Sequence, residues 1–283
     1  MRVEVPLRWG DMDAQGHVNN ARFADYLQEA RADFLLASPV SGMLGGGVIV
    51  LSHQIEYLSP IEFSSRPVEI DVAIETVQRA QFSIHYDVRH DGVLCARART
   101  RLCPYDFEAG AVRRLTAVEK QFFESRIEPC ERLRTLKRPP VDDRAMGTPL
   151  RVRWGDLDSY GHVNNVEFFE YVQEGRIAFS TTAAAQMQRM SGSSGRDTMW
   201  LVLRQDIEYL NQLAFRAEPY EVRTGVAALG TSSGTFGVEV RDPASGTVYA
   251  TAGTVIVCAD ATGRAKPFPQ EWKDALAPYR LGD

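Results

Sequence analysis

Arg8-Trp9-Gly10-Asp11-Met12-Asp13-Ala14-Gln15-Gly16-His17-Val18-Asn19-Asn20 occurs twice in this chain. It returns, with three substitutions, as Arg153-Trp154-Gly155-Asp156-Leu157-Asp158-Ser159-Tyr160-Gly161-His162-Val163-Asn164-Asn165. The second copy is displaced by 145 positions, and extending the comparison to Phe34 and Phe179 leaves 16 identities in 27 positions. A repeat whose period is about half the chain signals a duplicated domain rather than a short-period solenoid. The expected division is an N-terminal domain over 1–128, a linker over 129–147 and a C-terminal domain over 148–283. Pro139-Pro140 and a run of charges mark the linker.

Working outward from the first copy, Val3, Val5 and Leu7 alternate with polar neighbours, the period of a half-buried strand. After it the period changes. Phe23, Leu27, Ala30 and Phe34 fall on one helical face, as do Phe168, Val172, Gly175 and Phe179 in the second half. Asn19 or Asn20, and Asn164 or Asn165, are suited to cap those helices. Gly42 to Gly47 closes the first helical region. Four strand-like runs follow in each half, at 48–58, 68–77, 81–89 and 93–102, then at 200–210, 220–227, 234–241 and 248–257. His90-Asp91-Gly92 is a hairpin signal; its counterpart is the longer loop Asp242 to Gly246. The offset grows to 152 at Ile-Glu-Tyr-Leu (55–58 and 207–210), so an insertion lies between, and Ser191-Gly192-Ser193-Ser194-Gly195 is where it is expected. Residues 116–127 and 270–276 read as terminal helices. One strand, one long helix and an antiparallel meander make an α+β unit, a helix packed on a sheet.

Composition narrows the function. The 283 residues carry a net charge of −5, with 44% hydrophobic and 24% charged residues. Those values suit a globular protein and argue against nucleic-acid or anionic-membrane partners. Cys95, Cys103, Cys130 and Cys258 have no metal-ligand spacing and are expected to be reduced, buried thiols. No signal peptide or membrane-length apolar run is visible, so a cytoplasmic, soluble protein is expected.

The pattern W-G-D-x-D-x-x-G-H-V-N-N entering a helix resembles the hotdog-fold thioesterases. The likeness is greatest to the 4-hydroxybenzoyl-CoA thioesterase-like group and extends to plant acyl-carrier-protein thioesterases. The resemblance implies two tandem hotdog domains, each a long helix wrapped by an antiparallel sheet, joined as an intrachain pseudo-dimer that can assemble into higher homo-oligomers. It implies hydrolysis of an acyl-CoA, with fatty or aromatic acyl group, to acid and free thiol without a cofactor or metal. An acyl-carrier-protein thioesterase and a non-hydrolytic acyl-CoA-binding module are the alternatives. A hotdog hydratase fits less well, because such families carry a different aspartate–histidine motif.

By the same resemblance Asp13 and Asp158 are the catalytic carboxylates, as general base or as nucleophile. The backbone N–H groups of Asn20 and Asn165 are the oxyanion donors. His17 and His162 stand where the plant enzymes carry a functional histidine. Gln15 stands two places before one of them, where those enzymes have asparagine, whereas Tyr160 departs from that pattern. Glu56 and Glu208 are candidates for a distant glutamate. The residues themselves allow plainer roles: Asx turns for the aspartates, backbone-bonded turn histidines, and surface glutamates on a strand. Asp11 and Asp156 read as structural neighbours of the catalytic pair. Glu29 and Glu174 are expected to bridge to Arg31 and Arg176. Arg97, Arg99 and Arg101 alternate on one strand face, where they could form a rim for coenzyme A phosphates; the second half lacks them.

Overall fold

In the computed structural model the chain is described over residues 1–183 and 199–282, so the insertion expected at Ser191–Gly195 lies outside the described residues. The chain divides into two compact units, Met1–Arg134 and Thr135–Asp283.

Unit 1 runs β1 (Arg2–Val5), α1 (Phe23–Leu36), α2 (Gly42–Gly46), β2 (Val48–Tyr57), β3 (Val68–Val77), β4 (Phe82–His90), β5 (Val93–Asp106), the short β6 (Ala111–Val112) and α3 (Ala117–Glu124). Its sheet is antiparallel throughout, in the order β1-β3-β4-β5-β2. Unit 2 runs β7 (Met146–Leu150), α4 (Glu167–Ala183), β8 (Met199–Tyr209), β9 (Tyr220–Leu229), β10 (Ser233–Arg241), β11 (Val248–Ala259) and α5 (Gln270–Leu276). Its order, β7-β9-β10-β11-β8, is the same topology. Each unit is a hotdog fold with its long helix lying on the sheet.

The helix positions expected to face the sheet do so. Phe23, Leu27, Ala30 and Phe34 are buried in unit 1, and Phe168, Val172 and Phe179 in unit 2. At the start of each helix an edge-to-face aromatic pair joins helix to strand, Phe23 to Tyr57 and Phe168 to Tyr209, with ring centroids 5.2 Å apart in both. Irregularities are duplicated too. A bulge at Leu51 interrupts β2 opposite β5, and the matching bulge lies at Leu203 in β8, opposite Val255 and Ile256 of β11. The two-residue hairpin at Asp91-Gly92 takes positive φ at both positions, 51° and 77°, the mirror-image turn that matches strand twist.

Four details differ from the sequence reading. The first strand stops at Val5, short of Leu7. Gly42–Gly46 is a helical turn of its own, since α1 has already ended at Leu36. Strand β7 begins at Met146, inside the stretch expected to be linker. Helix α3 is shorter than 116–127, because Arg126 and Glu128 hydrogen-bond instead to Ile74 of β3.

Each helix–sheet sandwich is closed by aromatic groups from its terminal helix. In unit 1 Phe82 stacks on Phe123 at 4.1 Å; in unit 2 Trp200, Phe268 and Trp272 pack with Phe179 and Phe236. The start of α3 is fixed by a capping box. The Thr116 N–H donates to Glu119 at 2.8 Å, and Thr116 Oγ1 accepts from the Glu119 N–H. Arg113 adds two donors to the same carboxylate, each at 2.8 Å. Burial alone would raise the Glu119 carboxyl, but these donors outweigh it and hold the group below its ordinary value.

Two predictions follow from this packing. A carboxyl depressed on folding stabilises above its unfolded value, and that contribution is lost as pH falls through the folded value. Glu119→Gln should therefore lower stability at neutral pH by about 1.5–3 kcal/mol. It should also flatten the loss of stability on acidification below about pH 4.3, as read by urea unfolding at several pH values. The second concerns Gly175, where a Cβ would stand 2.4 Å from Val222 Cγ1. Its counterpart Ala30 is fully buried without conflict. Gly175→Ala should cost about 1–3 kcal/mol through overpacking, despite the roughly 1 kcal/mol that alanine gains in a helix; an unchanged or raised urea midpoint would refute it.

Candidate active site

The duplicated motif folds as a closed polar turn between the first strand and the long helix. Trp9–Asp11 forms a 3₁₀ turn. The chain then reverses through Gly16, whose φ of 81° is matched by 81° at Gly161, a conformation that favours glycine. It comes back antiparallel to itself, with Met12 bridged to Val18 and Leu157 to Val163. The Asn19 N–H donates to the Asp11 carbonyl at 2.8 Å, and Asn164 to Asp156 at 2.8 Å, so the two ends of the motif are tied together. A second 3₁₀ turn, Asn20–Arg22, leads into α1.

The two aspartates of each motif have different surroundings. Asp11 Oδ2 accepts from the Arg8 N–H at 3.0 Å and the Tyr26 hydroxyl at 2.7 Å. Asp156 Oδ2 accepts from the Arg153 N–H at 2.8 Å and the Tyr171 hydroxyl at 2.6 Å. Burial, then the hydrogen bond to the carboxylate, pushes both phenols far above their ordinary value. These aspartates brace the turn against the helix.

Asp13 is held on one side only. Its Oδ1 accepts from the N–H of Gln15 at 2.8 Å and of His17 at 3.3 Å. Asp158 Oδ1 accepts from Tyr160 at 2.8 Å and His162 at 3.4 Å. Among the described residues Oδ2 of each has no hydrogen-bond partner. The Asx-turn geometry and an available carboxylate oxygen therefore coexist in the same residue.

A backbone inventory of the turn shows what else is available. From Asp11 to Arg22, the N–H groups of Asp11, Met12, Asp13, Gly16, Val18, Asn19 and Arg22 donate to carbonyls. Those of Gln15, His17 and Ala21 donate to Asp or Asn side chains. That leaves Ala14, which is exposed, and Asn20, which is half-buried and has no acceptor among the described residues. Asn19 is the cap, its Oδ1 accepting from the Ala21 N–H at 3.1 Å; Asn164 does the same for Val166 at 3.4 Å.

The other candidates are placed as follows. His17 and His162 are half-buried and joined to Asp13 and Asp158 through their backbones; their rings have no hydrogen-bond partner among the described residues. Gln15 is exposed at the tip, where Tyr160 is half-buried. Glu56 and Glu208 are not brought to the turn-facing side: strand alternation buries Ile55 and Tyr57 toward the helix, and Glu56 sits opposite Arg97 on the other face. Arg97 pairs with Asp87 and Glu131, Arg99 with Glu75, and Arg101 donates to Ser52 Oγ at 2.8 Å, so all three have partners within unit 1. The expected Glu29–Arg31 bridge is absent: Glu29 is exposed while Arg31 is buried, because residues two apart on a helix point in different directions. Among the described residues no group of three or more His, Cys, Asp or Glu side chains could hold a metal ion. No helix there is long and apolar enough to cross a membrane.

Sequence reasoning missed the tyrosines. Besides Tyr26 and Tyr171, the Tyr57 hydroxyl donates to the Asn20 carbonyl at 2.9 Å, and Tyr209 to the Asn165 carbonyl at 2.8 Å. All four are identities between the repeats, and that was the available signal. Also unforeseen is the exposure of Trp9 and Trp154, each set edge-to-face on an exposed phenylalanine, Phe63 or Phe215.

Fold and turn together define a class: tandem hotdog proteins with an aspartate-bearing turn at the entrance to each long helix. A sequence model of the thioesterase-like superfamily matches residues 7–144 and again 152–276. The chain belongs to that superfamily. A presumed esterase of Aquifex aeolicus is 32% identical over 101 residues, 34% of this chain and 78% of that protein. Among solved structures, a presumed oleoyl thioesterase from Lactobacillus plantarum superposes with a TM-score of 0.70 at 14% identity, covering 94% of this chain and 96% of that one. The 12:0-acyl-carrier-protein thioesterase of Umbellularia californica superposes with a TM-score of 0.65 at 15% identity, covering 91% and 97%. Both share the double-hotdog fold.

Tyr26→Phe and Tyr171→Phe should each lower stability by about 1–3 kcal/mol, since one leaves a half-buried carboxylate and the other a buried one short of a donor. Urea unfolding checks this; a loss below about 0.5 kcal/mol would mean that water replaces the phenol.

Proposed function

We propose that this protein hydrolyses acyl-CoA thioesters, of fatty or aromatic acids, to the free acid and coenzyme A. The observation that carries the reading is the duplicated turn itself, with its half-engaged carboxylate at Asp13 and Asp158 and, in unit 1, an N–H at Asn20 that no internal acceptor claims. Thioester hydrolysis needs a base or nucleophile and a donor for the oxygen that becomes negative.

In the general-base route the free Oδ2 takes a proton from water as its oxygen bonds to the thioester carbon. The carbonyl electrons move onto oxygen, and the Asn20 or Asn165 N–H donates a hydrogen bond to the oxyanion so formed. Collapse re-forms the carbonyl, breaks the C–S bond and passes the proton to the departing thiolate. In the nucleophilic route Oδ2 itself bonds to that carbon, the thiolate leaves, and water then cleaves the mixed anhydride. His17 and His162, each donating its backbone N–H to Oδ1 of the aspartate, are the candidates to relay the proton to sulfur. The donors already on Oδ1 orient the carboxylate for either route.

Thiol release from acyl-CoAs of graded chain length, an aromatic acyl-CoA and an acyl-carrier-protein substrate tests this. The wild type is compared with Asp13→Asn, Asp158→Asn and the double variant. The double variant should lose about 10²–10⁴-fold in rate, with each single variant keeping part of the activity if both turns work. Release from the carrier-protein substrate alone would replace coenzyme A as the carrier. No release from any substrate at high enzyme would overturn hydrolysis and leave an acyl-CoA-binding module.

A further inference from the structure

The Ile-Glu-Tyr-Leu segment is the second thing this chain repeats, and the glutamates that first draw attention to it point away from the turn. The tyrosines do not. Tyr57 and Tyr209 are the last residues of β2 and β8, and each reaches across 37 or 44 residues of sequence to one carbonyl, that of Asn20 or Asn165. We propose that Tyr57 and Tyr209 are positioning residues that hold the Asn20 and Asn165 backbone in register for the developing oxyanion. The inference rests on the hydrolytic reading above.

The local covalent logic is short. Asn20 bears both the unclaimed N–H and the carbonyl that the phenol grips, separated only by its Cα. On one side the residue is fixed through Asn19, whose N–H is tied to Asp11 and whose carbonyl accepts from Arg22. On the other side the Asn20 carbonyl accepts from the Phe23 N–H and from Tyr57. The phenol is itself immobilised, since Tyr57 is buried and its ring meets Phe23 edge-to-face at 5.2 Å. The N–H at Asn20 thus has no internal acceptor while the backbone on both sides is anchored, as a preorganised donor requires. Unit 2 repeats the phenol, the carbonyl and the ring contact, with Tyr209, Asn165 and Phe168. A packing role would need the ring alone; retention of a hydroxyl on the same carbonyl in both copies points to positioning.

The test is Tyr57→Phe and Tyr209→Phe, singly and together, in the full chain. Phenylalanine keeps the ring and removes the hydroxyl. The double variant should lose about tenfold in kcat with KM within twofold, a loss between that of one neutral hydrogen bond and that of a whole oxyanion donor. Affinity for a trifluoromethyl-ketone analogue of the acyl-CoA, which mimics the tetrahedral oxyanion, should fall by the same factor. Affinity for the matching S-alkyl thioether should not change. Tyr26→Phe and Tyr171→Phe remove a phenol from the same turn but not from this carbonyl, and should leave kcat within twofold. The inference is overturned if the Tyr57 and Tyr209 variants keep full kcat, if ketone and thioether weaken together, or if the Tyr26 and Tyr171 variants lose as much. Should the double variant not fold, each single variant is combined with loss of the other unit's aspartate, Tyr57→Phe with Asp158→Asn and Tyr209→Phe with Asp13→Asn, and is read against that aspartate variant alone. A wild type that releases no thiol overturns the hydrolytic reading and this inference with it, whereas an active wild type beside unaffected variants overturns the inference alone.

Discussion

The structure depends on one constraint: a polar backbone reversal packed against an apolar helix must satisfy nearly all of its own N–H groups. Water cannot serve all of them there, and an unpaired buried donor is expensive. The motif solves this with its own residues. Asp13 accepts from two backbone groups, Asn19 caps the following turn, and the Asn19-to-Asp11 bond closes the loop. The aspartates, asparagines and glycine of the repeat are therefore required together, which explains why the stretch recurs almost intact while the strands have drifted. Once the turn is closed, the direction of the first strand and the start of the helix are set, and the sheet order follows in both units.

That division of labour also explains how much was legible beforehand. Strand alternation and helical periodicity are local signals, so the runs at 68–77 and 270–276 match β3 and α5. Gly42–Gly46 misled because glycines usually end helices, yet here a short turn forms after α1 has already stopped. The tyrosine contacts were not legible for another reason. A phenol to a carbonyl 37 residues away leaves no periodicity, and within Ile-Glu-Tyr-Leu the charge drew attention while the hydroxyl carried the contact. Identity between the repeats was the remaining clue, and it covers all four tyrosines.

Where the repeats differ is as informative as where they agree. In corresponding registers on β2–β5 and β8–β11, a buried His53 faces Thr100 while Gln205 faces Thr254. Ala30 in one helix becomes Gly175 in the other, which lets Val222 approach the helix backbone. Gln15 at the turn tip becomes Tyr160, and Glu62, bridged to His17, becomes Ala214. The closed turn is common to both units, whereas the side chains around and beneath it are not.

The contrast between the two aspartates of each motif brings structure and chemistry together. A carboxylate oxygen that accepts from both a backbone N–H and a buried phenol, as in Asp11 and Asp156, has its lone pairs committed. A carboxylate fixed by two amides through one oxygen, as in Asp13 and Asp158, is oriented with its second oxygen unused. Two residues apart in sequence, the same side chain thus serves as a brace in one position and keeps an unengaged oxygen in the other. The difference comes from the helix: Tyr26 and Tyr171 reach only the first aspartate of each pair. A phenol on the second would stabilise the turn further and occupy the oxygen that the proposed hydrolysis needs.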